Sequence, residues 1–103
     1  MMKIEMVNIA GRYKQGSLKN LTVEEIEYVL GRPNIKDDPY KVSHSWGFMV
    51  TMDSGVTHAC GIWSYKGSEK YNEWSYCGPQ FVFDALFGKQ HLEPLNPKTG
   101  QAT

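Results

Sequence analysis

The chain has 103 residues, which is enough for one domain with a single core and too few for two separate cores. Eleven basic residues balance eleven acidic ones, so no net field draws the chain to nucleic acid or to an anionic membrane surface. We find no apolar run of about 18 residues, no signal-peptide pattern at the start and no disulfide framework between the two cysteines. These features predict a single domain over residues 1–103 in the cytoplasm, with no membrane partner.

The segment "LTVEEIEYVLGRP" predicts a helix over residues 22–30, because both of its ends carry a signal. Thr22 and Glu25 have the spacing of a capping box. Gly31 suits the position that follows the last turn of a helix. Between these ends lies an apolar face at helical spacing, formed by Ile26, Val29 and Leu30.

Residues 40–52 and 56–65 both alternate between apolar and polar side chains with a period of two, which predicts two strands. Asp53-Ser54-Gly55 between them suits a three-residue hairpin turn. This turn pairs even-numbered residues with each other, for example Phe48 with Cys60. The even-numbered side chains then share the core face, and three others share the opposite face, which we call the reverse face: Met49, Trp63 and Tyr65.

Further elements complete the predicted fold. Residues 71–77 predict a third strand, and "GPQFVFDALF" predicts a second helix over residues 79–87 that is apolar on most sides, as in a core or a subunit contact. Residues 3–9 could add a fourth strand, residues 11–20 predict a basic loop, and residues 89–103 predict an extended tail. We therefore expect an α+β fold, with an antiparallel sheet of three or four strands and two helices packed on one face.

His58 and Cys60 are weak candidates for a metal site or for catalysis. Their spacing could supply two ligands to zinc, but the predicted register places Val50 and Phe48 opposite them instead of further ligands. The two side chains also point in parallel from residues about 7 Å apart, which is long for a direct proton transfer. The expectation is a packed histidine and a buried thiol, with no metal, cofactor or catalytic residue.

The reverse face carries the predicted binding surface. Trp63 and Tyr65 place two large rings beside small residues and the flexible Met49, which suits contact with a partner protein or stacking of a base. The alternative is that the terminal segments or a second copy of the chain, in a homo-oligomer, cover this face. Three basic residues could add charge-assisted contacts to phosphate: Lys41, Lys66 and Arg12.

A series of short motifs runs through residues 11–88: "YKQGSLKNLT…VLGRPN", "K…WGF", "GIWSYKG", "EWSYCGP" and "ALFG". In this order they resemble small accessory proteins encoded in bacteriophage genomes. The resemblance implies a non-enzymatic protein in the cytoplasm of an infected bacterium that binds and inhibits a host or defence-system protein. The resemblance assigns no catalytic residue to this chain. The second hypothesis is a nucleotide-binding protein that sequesters a defence signalling nucleotide.

Overall fold

The computed structural model describes residues 2–9, 13–35, 44–65 and 67–94. The described part is an α+β fold, in which an antiparallel sheet has the strand order β1-β3-β4-β5-β2-β6. The strands are β1 (Lys3–Met6), β2 (Gly16–Leu18), β3 (Ser45–Thr51), β4 (Thr57–Trp63), β5 (Trp74–Cys77) and β6 (Leu92–Pro94). The helices are α1 (Val23–Leu30) and α2 (Gln80–Phe87). No helix in the described ranges is long and apolar enough to cross a membrane.

The prediction of three or four strands is wrong, because the described residues form a sheet of six. β2 lies in the segment predicted as a basic loop, and β6 lies in the predicted tail. Each has three residues, which is too short to show a polarity period. Tertiary contact forms them instead: at Gly16 a Cβ atom would lie 2.6 Å from the Tyr76 ring, so β2 approaches β5 as only a glycine allows.

The predicted hairpin and its register are confirmed. The Met52 N–H donates to the Val56 carbonyl at 2.8 Å, and Gly55 takes a φ of 91°, as the three-residue turn requires. Phe48 pairs with Cys60, and the other even-numbered partners follow the same register. Both strands are shorter than predicted, and residues 40–43 of the first prediction lie outside the described ranges.

Both predicted helices are present, and α1 has the predicted capping box. The Glu25 N–H donates to the Thr22 hydroxyl at 3.2 Å, and the Thr22 N–H donates to the Glu25 carboxylate at 3.1 Å. The assignment of Val29 to the core face is wrong, since it is 36% exposed. Within α1, only Ile26 and Leu30 are buried. These two residues are four positions apart and lie one above the other on the side of the helix that faces the sheet, whereas Val29 lies to one side of them.

Two tryptophans of the core anchor the two ends of α1. The Trp74 indole N–H donates to the Leu21 carbonyl at 2.6 Å, just before the helix. The Trp46 indole N–H donates to the Gly31 carbonyl at 2.8 Å, just after it. The two indole rings meet edge to face, with centroids 5.4 Å apart. This arrangement sets α1 across one face of the sheet, and α2 packs on the same core through Val82 and Phe83.

Candidate functional site

His58 and Cys60 lie on the core side of β4, where Cys60 is buried and His58 is half-buried. Burial, with a smaller contribution from the Cys77 thiol, raises the pKa of Cys60 to about 12, so this thiol is protonated at neutral pH. The Cys60 thiol contacts the His58 carbonyl at 3.8 Å, and the His58 ring packs edge-on against Phe81 at 5.5 Å. Among the described residues, no group of three or more His, Cys, Asp or Glu side chains could hold a metal ion.

Met49 and Trp63 lie on the predicted reverse face of the sheet, and Tyr65 follows the end of β4, but these residues do not form one continuous surface. Trp63 is half-buried opposite Ser45, whereas Met49 lies four residues further along β3. At about 3.3 Å per residue, Met49 is roughly 13 Å from Trp63 along the strands. Between them the Ile35 side chain covers Gly47, where a Cβ atom would lie 2.5 Å from it. Three predicted binding residues lie outside the described ranges: Arg12, Lys41 and Lys66.

A small polar cavity lies beside Tyr65, which is 45% exposed. Its volume is about 110 Å³, well below the roughly 300–1,000 Å³ of common ligand sites. Its wall carries one basic and one acidic side chain, Lys14 and Glu73, so its charge does not favour a phosphate group. The cavity is also too small for a nucleotide. The residues that line it are Lys14, Ser17, Tyr65, Ser68, Glu73, Trp74 and Ser75.

A larger cavity lies between the two helices, and we call it the interhelical groove. Its volume is about 470 Å³. The floor is apolar, with Leu21 buried and Leu86 half-buried, and the rim carries Tyr28, which is 93% exposed. The groove is lined by Leu21, Glu24, Glu25, Tyr28, Val29, Leu86, Phe87 and His91.

The rim of the interhelical groove is negatively charged. Hydrogen bonds from the Thr22 backbone and side chain lower the pKa of Glu25, and His91 contributes a smaller lowering. Glu25 is therefore ionised at neutral pH, beside the exposed Glu24. His91 is oriented by its Nδ1, which lies 2.8 Å from the Lys19 carbonyl and donates to it. The described lining contains no lysine or arginine, so the groove combines an apolar floor with an acidic rim.

The groove was not predicted as a site, although the sequence contains two signals for it. The first is that α2 is apolar on most sides, which is typical of a helix in a core or of one that forms a contact surface. The second is Tyr28, a large ring off the stripe that Ile26 and Leu30 define on α1. Neither signal shows that α1 and α2 lie side by side, because that juxtaposition depends on how each helix packs on the sheet.

No protein-family model, curated protein or solved structure matches this chain. The relation to bacteriophage accessory proteins therefore stays a prediction from short motifs. We infer function from the geometry of the described surfaces.

Proposed function

We propose that this chain is a non-enzymatic binding protein that holds a segment of a partner protein in the interhelical groove. The observation that carries the proposal is the groove itself, whose volume of about 470 Å³ lies within the usual range for binding sites. Beside its apolar floor Tyr28 is 93% exposed, and tyrosine is among the residues that contribute most to binding at protein interfaces.

The chemistry of the groove selects the kind of segment that it holds. Two or three apolar side chains would fill the floor around Leu86 and Phe87, as in other helix-in-groove interactions. Lysine or arginine at the edge of the segment would pair with Glu24 and Glu25. Such charge pairs add specificity and a faster association more than they add affinity. The occupant is therefore a basic amphipathic helix.

The biological target that we propose is a host or defence-system protein of a bacterium, as the motif resemblance implies. When this chain binds a basic amphipathic helix of a host factor, it inhibits that factor if the helix is needed for the factor's own assembly or for its binding to nucleic acid. Inhibition then requires no catalytic group in this chain, which agrees with the protonated Cys60 thiol.

The test uses two synthetic helical peptides of about 16 residues with the same leucine spacing, one with lysine and one with glutamate at its polar positions. We expect the lysine peptide to bind at micromolar concentration by calorimetry and the glutamate peptide to bind at least about tenfold more weakly. A Tyr28→Ala, Glu24→Lys variant should weaken binding of the lysine peptide about tenfold or more. The matched control is Tyr13→Ala, which removes a ring that is 83% exposed elsewhere on the surface.

Two results would contradict the proposal: equal binding of both peptides, or binding by the groove variant at the wild-type affinity. If the peptide result holds, candidate bacterial nucleases and defence effectors are assayed with and without the protein. An effector whose activity falls with wild type and recovers with the groove variant is the target. No loss of activity in any effector that carries an exposed basic amphipathic helix argues against inhibition.

The nucleotide-binding alternative has less support from the described geometry. The cavity beside Tyr65 is too small, and the larger interhelical groove has acidic side chains where a nucleotide places phosphate. A rise in melting temperature with cyclic or linear nucleotides at millimolar concentration would favour this alternative over capture of a peptide.

A further inference from the structure

The strand β1 lies at one edge of the sheet, where the described strands leave one of its sides unpaired. Antiparallel strands direct the N–H and C=O groups of alternate residues toward the same neighbour. The Val7 N–H donates to the Gly47 carbonyl at 3.0 Å, so the odd-numbered residues of this segment direct their backbone N–H and C=O groups toward β3. Ile4 and Met6 therefore direct their N–H and C=O groups away from the sheet.

The side chains of β1 divide into two sets. Ile4 and Met6 lie on the core face, where they are half-buried and pack at the margin of the core. Lys3 and Glu5 lie on the reverse face and are exposed. The edge thus combines outward backbone groups, an apolar strip on one face, and one positive and one negative charge on the other. The outward backbone groups of such an edge are a template for another strand, and the two charges restrict which strand can pair there.

We propose that two copies of the chain pair through β1, antiparallel about a two-fold axis at Ile4. The backbone restricts the register, because only the even-numbered residues offer outward N–H and C=O groups and they must pair with each other. With the axis at Ile4, Lys3 lies opposite Glu5 of the partner subunit, and the reciprocal pair forms on the other side of the axis. Opposite charges placed directly across antiparallel strands are stabilising.

The neighbouring registers place like charges together. Moving the axis by one residue toward the C-terminus sets Glu5 opposite Glu5 of the partner subunit. Moving it the other way sets Lys3 opposite Lys3 of the partner subunit. Both arrangements are destabilising. The alternation of charge in β1 therefore favours the axis at Ile4 over both neighbouring registers, and with that axis each Ile4 packs beside its copy on the core face.

The size of this contact sets the expected affinity. One short strand buries less than the roughly 1,200 Å² of a stable interface, so we expect a weak, concentration-dependent dimer. The pairing joins two sheets into one continuous sheet. Because β6 forms the opposite edge and His91, just before it, lines the interhelical groove, the dimer carries one groove toward each end. Such a dimer would bind a target with two basic helices more tightly than a monomer would.

The test uses sedimentation velocity and native mass spectrometry of the whole chain over a range of concentrations. Wild type should shift from 11.7 kDa toward twice that mass as concentration rises. Lys3→Glu makes the strand acidic at both positions and Glu5→Lys makes it basic at both, so each variant alone should dimerise at least about tenfold more weakly. An equal mixture of the two variants should form mixed dimers with the wild-type affinity, since every pair is again of opposite charge.

Two controls separate this interface from a general effect of charge and from the groove. Lys70→Glu makes the same charge change at an exposed site in the turn before β5 and should leave the dimer unchanged. Tyr28→Ala should also leave it unchanged, and Lys3→Glu should leave binding of the lysine peptide unchanged, so the two proposals fail independently. The proposal is overturned if wild type stays monomeric up to about 1 mM, if either single variant dimerises like wild type, or if the mixture does not recover.

Discussion

Cys60 is packed against the turn that leads into α2, and its surroundings explain its chemistry. It is fully buried, and a Cβ atom at Gly78 would lie only 2.7 Å from its sulfur atom. Gly78 has a φ of 120°, a conformation that a residue with a side chain rarely adopts. The close packing excludes water from the thiol, and loss of hydration disfavours the thiolate. The raised pKa of Cys60 follows from this burial.

We expect native Cys60 to resist alkylation. In a Cys77→Ala variant, where Cys60 is the remaining thiol, iodoacetamide should react at least about 100-fold more slowly with the native protein than with the unfolded protein at about pH 8. The physical reason is that a pKa of about 12 leaves little thiolate at that pH, and the native rate should rise as the pH increases. Intact mass measures the rate. Equal rates in the native and unfolded states would contradict this account of Cys60.

The helix α1 depends on groups at its ends more than on its length, because eight residues are too few for a stable isolated helix. Thr22 and Glu25 satisfy backbone and side-chain groups reciprocally at the first turn. These hydrogen bonds lower the pKa of Glu25, so its ionised form stabilises the fold above the ordinary pKa of a glutamate. This stabilisation is lost as the pH falls through the lowered value.

The substitution Thr22→Ala should lower the free energy of unfolding by about 1 kcal/mol, because it removes the hydroxyl that accepts the Glu25 N–H. Chemical denaturation at neutral pH measures the change. Thr22→Ser keeps the hydroxyl and should stay within about 0.5 kcal/mol of wild type. A loss in the serine variant as large as that in the alanine variant would show that the methyl group, and not the cap, is responsible.

Asn34 connects three parts of the molecule that are distant in sequence. Its side-chain oxygen accepts the Gly47 N–H at 2.9 Å, while its amide donates to the carbonyls of Gly47 and Val7 at 3.0 and 3.1 Å. The side chain thus continues the hydrogen bonding of β3 beyond the point where β1 ends. It holds the chain after α1 against the sheet, although Asn34 itself is exposed.

The substitution Asn34→Ala should lower the free energy of unfolding by about 2–3 kcal/mol. It removes three hydrogen bonds and leaves the N–H of the buried Gly47 without the acceptor that it has in wild type. Thermal and denaturant unfolding measure the change. Asn8→Ala, at an exposed position just after β1, is the matched control and should change stability by less than about 0.5 kcal/mol. Equal effects of the two substitutions would exclude a structural role for Asn34.

Prediction from the sequence succeeded where the signal is local and failed where it is not. The hairpin register follows from the short turn and the alternation beside it, and the α1 cap depends on residues three positions apart; both are confirmed. The interhelical groove requires Leu21, before α1, and Phe87, at the end of α2, to meet in space. The apolar pattern within one helix carries no information on how far that helix lies from the other. The register places Met49 and Trp63 on one face as predicted, but the division of that face by Ile35 depends on a connection folding back over Gly47.

By itself, the sequence determined the α+β class, the two helices, the hairpin with its turn, and the side of β3 and β4 that faces the core, because alternation and capping act between near neighbours. Only the tertiary structure decided the number of strands and the location of the candidate surfaces. β2 and β6 are too short to show a polarity period: β2 forms because the Gly16 backbone can lie against the Tyr76 ring of β5, and β6 forms by pairing with β2. The groove and the open edge at β1 follow from the order in which the strands assemble, which depends on contacts between distant residues.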